Sequence, residues 1–160
     1  MTIRRTRPDE LDDVMAIYAQ ARVFMAANGN PHQWGASAPR REKIIASINA
    51  GDHFSCLDGQ GRRLAVFTLR AGPDPTYSDI DGRWLDRRPY GVVHSIASAR
   101  LTAGAAAFCL NWAWDRFGNI RIDTHQDNIP MQRLLAKLGY QRCGVIITDN
   151  GTPRLAYQKN

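Results

Sequence analysis

No run of about eighteen apolar residues occurs in this chain of 160 residues, so no segment reads as a membrane span. The opening stretch MTIRRTRPDELDD has no apolar core and does not read as a secretory signal. Cysteine is scarce. Cys56, Cys109 and Cys143 are odd in number and lack C-x-x-C spacing. That argues against a disulfide framework or a zinc site, and for a reducing, cytoplasmic setting. Acidic residues are in the minority, 15 against 21 Lys and Arg, for a formal charge of +6. The basic pairs Arg4-Arg5, Arg40-Arg41, Arg62-Arg63 and Arg87-Arg88 are scattered rather than gathered on one tail or helix. Such a spread suits a small polyanionic ligand better than a nucleic-acid track. No internal repeat is present.

What is present is a globular pattern, with 44% hydrophobic residues and a length suited to one domain over 1–160. Thr2 to Thr6 reads as a strand. After Arg7-Pro8, Asp9 is placed to cap a helix whose stripe is Leu11, Val14, Met15, Tyr18 and Met25. Asn28-Gly29-Asn30-Pro31 stops it, and a loop with His32, Gln33 and Trp34 follows. A second helix spans roughly 39–50. Strands at 53–57 and 62–70 flank a Gly-rich turn. Residues 72–89 are rich in Pro, Asp and Gly yet carry Tyr77, Ile80, Trp84 and Leu85, and so read as a folded insertion. A strand at 90–98, a helix at 102–117, a strand at 120–124, a helix from Asn128 to Leu138 and strands at 141–148 and 153–158 complete the chain. The fold class is α/β, with a twisted mixed sheet of about seven strands flanked by about four helices.

The stretch HSIASARLTAGAAAF at 94–108 joins the central strand to its helix. Its small residues leave backbone N–H groups bare at a helix start, a setting suited to phosphate. Tight helix–sheet packing is an equal reading of Gly104, Ala105 and Ala106 from spacing alone. On the strand before it, a period of two places Tyr90, Val92, His94 and Ile96 on one face. Imidazole can take and release a proton near neutral pH, so His94 is a candidate base or a core histidine, and His125 is a second candidate or a loop-closing residue. No histidine pair shows metal-ligand spacing.

The order of elements and the segment RIDTHQDNIPMQRLLAKLGYQRCG at 121–144 resemble the GNAT family of N-acyltransferases over essentially the whole chain. Asn128, Leu134, Lys137, Gly139 and Tyr140 stand in register with that family's N-x-x-A-x-x-L-Y-x-K-x-G-F, with Met131 in place of Ala. The resemblance implies a sheet that splays between strands ending near Ser98 and Thr124, with acetyl-CoA as co-substrate in the gap. Its pantetheine arm would meet the backbone at Ile96, Ala97 and Ser98, and its pyrophosphate the amides of Thr102, Ala103, Gly104, Ala105 and Ala106. Asn128 and Lys137 are carried over as cofactor contacts, and a backbone N–H at Ile96 or Ala97 as the oxyanion donor. His94 and His125 become the catalytic candidates, and Trp34, Tyr77, Trp84 and Tyr90 candidate walls for the acceptor.

The resemblance has two departures. Leu101 and Ala103 replace residues usual in the phosphate loop, and Leu135 stands where a proton-donating Tyr is common. The implied activity is acetyl transfer to a small-molecule amine by direct attack in a ternary complex. The alternative is a catalytically silent acyl-CoA-binding or regulatory module of the same fold. Neither a nucleic-acid nor a membrane partner is expected, and a homodimer is common among such proteins.

Overall fold

A computed structural model of the chain describes residues 1–160. One sheet runs through the molecule, with strands β1 (Thr2–Arg5), β2 (His53–Leu57), β3 (Arg63–Ala71), β4 (Asp81–Gly82), β5 (Gly91–Ser98), β6 (Ile120–Thr124), β7 (Gln141–Ile147) and β8 (Pro153–Lys159). Their spatial order is β1-β2-β3-β5-β6-β8-β7-β4. The helices are α1 (Leu11–Ala27), α2 (Arg41–Asn49), α3 (Ala105–Phe117) and α4 (Ile129–Lys137). None is long and apolar enough to cross a membrane.

Eight strands form where seven are expected, because Asp81-Gly82 in the insertion pairs with Val145 and Gly144 of β7. Two helix starts also differ. A 3-10 turn at Pro8–Glu10 delays α1, and an exposed turn at 101–104 delays α3 to Ala105.

The two faces of the sheet bury different partners. Phe67, Leu69, Val93, Ile120, Ile122 and Tyr157 pack beneath α3 and α4, where Cys109, Leu110, Ala113 and Leu135 meet them. Val66 and Ala97 pack on the other face beneath Val14, Tyr18, Ile44 and Ile48 of α1 and α2. Those helices do not reach the far arm of that face. There Val92, Ile146 and Ala156 are covered instead by Tyr77 of the insertion, which confirms that 72–89 is folded.

Parallel pairing of β5 with β6 lasts only three rungs, Gly91↔Ile120, Val92↔Arg121 and Val93↔Ile122. Beyond them each strand keeps only its outer neighbour, β3 for β5 and β8 for β6. The sheet therefore parts after Val93.

A bulge accompanies the split. Thr68 pairs with His94 and Val66 with Ala97, so β5 carries one extra residue there. Ser95 absorbs it with φ of 51°, a conformation uncommon for a residue with a Cβ. The extra residue shifts the alternation. His94 and Ala97 lie on the α1/α2 face, whereas Ile96 packs with the α3/α4 core. The expected common face for His94 and Ile96 is thus corrected by one inserted residue.

Candidate active site

His94 and Asp123 occupy the first rung at which β5 and β6 no longer pair. Their side chains face each other there, with His94 Nδ1 3.6 Å from Asp123 Oδ1. His94 Nε2 lies 2.8 Å from Asp74 Oδ2, a carboxylate delivered by the insertion and almost wholly buried. Arg70 donates to the same oxygen at 2.6 Å, and the Thr76 amide to the other at 2.9 Å. Burial pushes the Asp74 pKa up. The His94 hydrogen bond, Arg70 and the Thr76 amide outweigh it and hold the carboxyl well below its usual range. Asp74 is therefore an acceptor for the Nε2 proton, which leaves the Nδ1 lone pair on the side of Asp123.

Asp123 is fixed from below. The phenol of Tyr77 donates to its Oδ1 at 2.7 Å, and the Tyr77 ring lies 5.7 Å from that of His94. Burial first, and then Asp123 itself, keep the Tyr77 hydroxyl protonated by raising its pKa. Tyr77 is a fixed part of this cluster.

Trp84 and Tyr90, expected as acceptor walls, flank a cation. The Arg121 guanidinium sits 4.3 Å from the Trp84 ring and 3.8 Å from the Tyr90 ring, clasped between them. Tyr90 also accepts the Asp74 amide at 3.2 Å, and Gly72 leaves room for its ring, which a Cβ would meet at 2.6 Å. Both aromatics anchor the insertion.

Two residues near α4 also have their polar groups in use. His125 Nδ1 accepts the Asp127 amide at 3.1 Å and closes its own turn, with burial and Arg154 lowering its pKa. No hydrogen bond or ion pair links it to His94. Asn128 caps α4 through Met131 N and donates to Gln33 Oε1 at 2.9 Å. Gln33 is the hub that sequence reasoning missed. Its oxygen also takes the Asn30 side-chain amide, while Arg154 donates to its backbone carbonyl at 3.0 Å. Beside it, Trp34 rests edge-on against Tyr18 at 5.7 Å. The 30–34 loop thus touches α1, β8 and the start of α4. Lys137 is exposed in the last turn of α4.

The other side of the opening offers backbone donors. The Ala99 amide bonds back to Leu64 O of β3 at 2.9 Å. Strand amides alternate, so that of Ala97 turns toward β3 and that of Ser98 toward the parted edge, while the Ile96 amide, opposed to a Ser95 carbonyl that accepts from Tyr18, points away from α1. Past this edge, Leu101 to Gly104 are exposed, and α3 begins with no side-chain cap and no acidic residue in its first turn. Its first free amides, beginning at Ala105 and Ala106, therefore face outward with the helix dipole behind them. Gly104 adopts φ of 84° at that cap. A strand edge with free amides leading to an uncapped helix start fits a long ligand with an amide-bearing arm and a phosphate end.

Leu135, by contrast, is fully buried in the α3/α4 core. No proton donor stands at that position.

No protein-family model and no curated protein matches the chain. Solved structures do. A GNAT-family acetyltransferase from Streptococcus agalactiae is 33% identical over 99% of this chain and 94% of its own, with a TM-score of 0.88. A GNAT-family acetyltransferase from Listeria monocytogenes is 18% identical, covering 99% of this chain and 93% of its own at a TM-score of 0.73. An N-acetyltransferase from Staphylococcus aureus is 16% identical, covering 99% and 97% at 0.66. The last two share the fold.

Proposed function

The chain belongs to the GNAT acetyltransferase family, and from that premise we propose that it moves an acetyl group from acetyl-CoA to the amine of a small molecule within a ternary complex. Acetyl-CoA, as substrate, supplies a thioester carbonyl and a thiolate leaving group. The single observation that carries the reading is the half-exposed His94 on the buried Asp74 carboxylate, set where β5 leaves β6, with no hydrogen bond on Nδ1.

The residues divide the work. Asp123 draws the cationic acceptor to the split, its position held by Tyr77. His94 Nδ1 takes one proton from the ammonium, and Asp74 steadies the imidazolium that results. The freed amine attacks the thioester carbon, the C–S bond breaks, and the Ile96 amide receives the charge that develops on the carbonyl oxygen. The nitrogen's remaining surplus proton passes to the departing thiolate. A thiol pKa of about 8.5 allows that departure without a dedicated acid, which suits a chain with Leu135 at the usual donor position.

The test is release of CoA thiol from acetyl-CoA across a panel of small amines, with wild type beside His94→Gln. Wild type turns over at least one amine, and His94→Gln lowers kcat/KM by about a hundredfold to ten-thousandfold with acetyl-CoA affinity kept. Binding of acetyl-CoA without turnover of any amine would favour the silent module, the reading to which Leu135 lends weight.

A further inference from the structure

A file of buried polar side chains runs from the surface of α1 and β1 to the bulge in β5. Arg63 Nε lies 3.0 Å from Ser55 Oγ, Ser55 Oγ 2.7 Å from Thr6 Oγ1, and Thr6 Oγ1 2.8 Å from His53 Nδ1. His53 Nε2 is 3.1 Å from the Tyr18 hydroxyl, which lies 2.9 Å from the carbonyl oxygen of Ser95. Thr6, Ser55, His53 and Tyr18 are all buried.

The two ends set the direction of every bond between them. A carbonyl oxygen only accepts, so the single Tyr18 proton goes to Ser95. His53 must then donate from Nε2. Burial, with Arg63 nearby, pulls the His53 pKa down to about 4, so the ring is neutral and its Nδ1 accepts. The Thr6 proton therefore points to His53, the Ser55 proton to Thr6, and Arg63 donates to Ser55. Five hydrogen bonds run one way, from a guanidinium held by Glu10 and Asp13 to one backbone carbonyl.

That carbonyl shares a peptide plane with the Ile96 amide. In a trans peptide the C=O and N–H point in opposite directions, so fixing one aims the other. The Ser95 peptide also follows a residue at φ of 51°, where the backbone has no ladder partner to hold it. A hydrogen bond on a carbonyl polarises its own N–H, and a one-way file of bonds adds to the effect.

We propose that Tyr18 and His53 are positioning residues that aim and strengthen the Ile96 amide as donor to the thioester oxygen. The assignment rests on the acetyltransferase reading for its target, but the aim of the amide is measurable without turnover. Neither residue touches the reacting atoms. Both lie on the α1/α2 side of the sheet, so the device reaches the cleft only through the peptide plane.

Two substitutions test it. Tyr18→Phe keeps the ring against Trp34 and deletes the O–H, while His53→Gln keeps an N–H donor for the Tyr18 oxygen. In labelled protein, Tyr18→Phe moves the Ile96 amide proton upfield, and His53→Gln leaves it near the wild-type position. In turnover, Tyr18→Phe lowers kcat about tenfold to a hundredfold, affinity for CoA changes less than about twofold, and His53→Gln stays within about threefold of wild type. If Tyr18→Phe does not fold, Thr6→Val breaks the file one link further out, and the same upfield movement is read there. An unmoved Ile96 amide overturns the proposal whether or not the protein acetylates an amine. So do parallel losses of kcat and CoA affinity in Tyr18→Phe, because a merely structural role would move both. A wild-type protein that turns over no amine counts against the acetyltransferase reading, and the Ile96 shift then decides the positioning claim alone.

Discussion

Asp74 holds a histidine, an arginine and a backbone amide on a side chain that solvent barely reaches. Removing its charge while keeping its shape therefore separates orientation from electrostatics. Asp74→Asn leaves a group beside Nε2 but no anion to steady an imidazolium. Its kcat/KM falls on the order of a hundredfold while acetyl-CoA affinity holds, as read by steady-state kinetics beside calorimetry. An unchanged kcat/KM would mean that Asp74 serves the insertion alone. His94 was legible in the sequence because it is the one histidine on the central strand. Asp74 and Asp123 were not, since each becomes a neighbour of His94 only when the insertion folds over β5 and the sheet parts. The partner of Trp84 and Tyr90 is hidden for a related reason. An aromatic in a loop looks free until its cation is known, and Arg121 comes from a strand 31 residues beyond Tyr90.

The start of α3 is the element on which the phosphate assignment stands. A Cβ at Gly104 meets nothing within 4 Å, and Asp is among the side chains that tolerate a positive φ. Gly104→Asp should therefore fold, at a cost of about 1–2 kcal/mol from the φ of 84°, while its carboxylate repels phosphate. CoA affinity falls by at least about tenfold with only a small drop in melting temperature, read by calorimetry and thermal denaturation. The opposite holds in α4. Leu135→Tyr forces a larger ring into the core under α3 and costs about 1–3 kcal/mol, seen as a lower melting temperature. Helix positions and the small-residue turn before α3 were readable from caps, glycines and apolar stripes. The bulge at Ser95 was not, because a serine at positive φ carries no pattern, and it alone turns Ile96 away from the face of His94.

Across the molecule, acid stability follows from two buried groups on the α1/α2 side. His53 has its pKa lowered from 6.5 to about 4, chiefly by burial. The unfolded chain binds that proton first, so stability is whole above pH 6.5 and declines as pH falls toward 4, by on the order of 3 kcal/mol. Glu10, held by Arg4 and lowered from 4.5 to about 2, adds a second loss between those values. The melting temperature should fall between pH 6.5 and 4, and His53→Gln should flatten that first decline. An identical slope in the variant would show that His53 does not govern it.

The family resemblance implies a splayed sheet, but only the pairing shows where it opens. β5 and β6 share three rungs, and His94 and Asp123 face each other on the fourth. The measurement that bears most directly on this account is titration calorimetry of the purified protein with acetyl-CoA, CoA and ATP. Both CoA species should bind with micromolar affinity, using the strand edge and the α3 start together, and ATP, which lacks the amide-bearing arm, should bind little. Failure of both CoA species to bind, or equal binding of ATP, would contradict it.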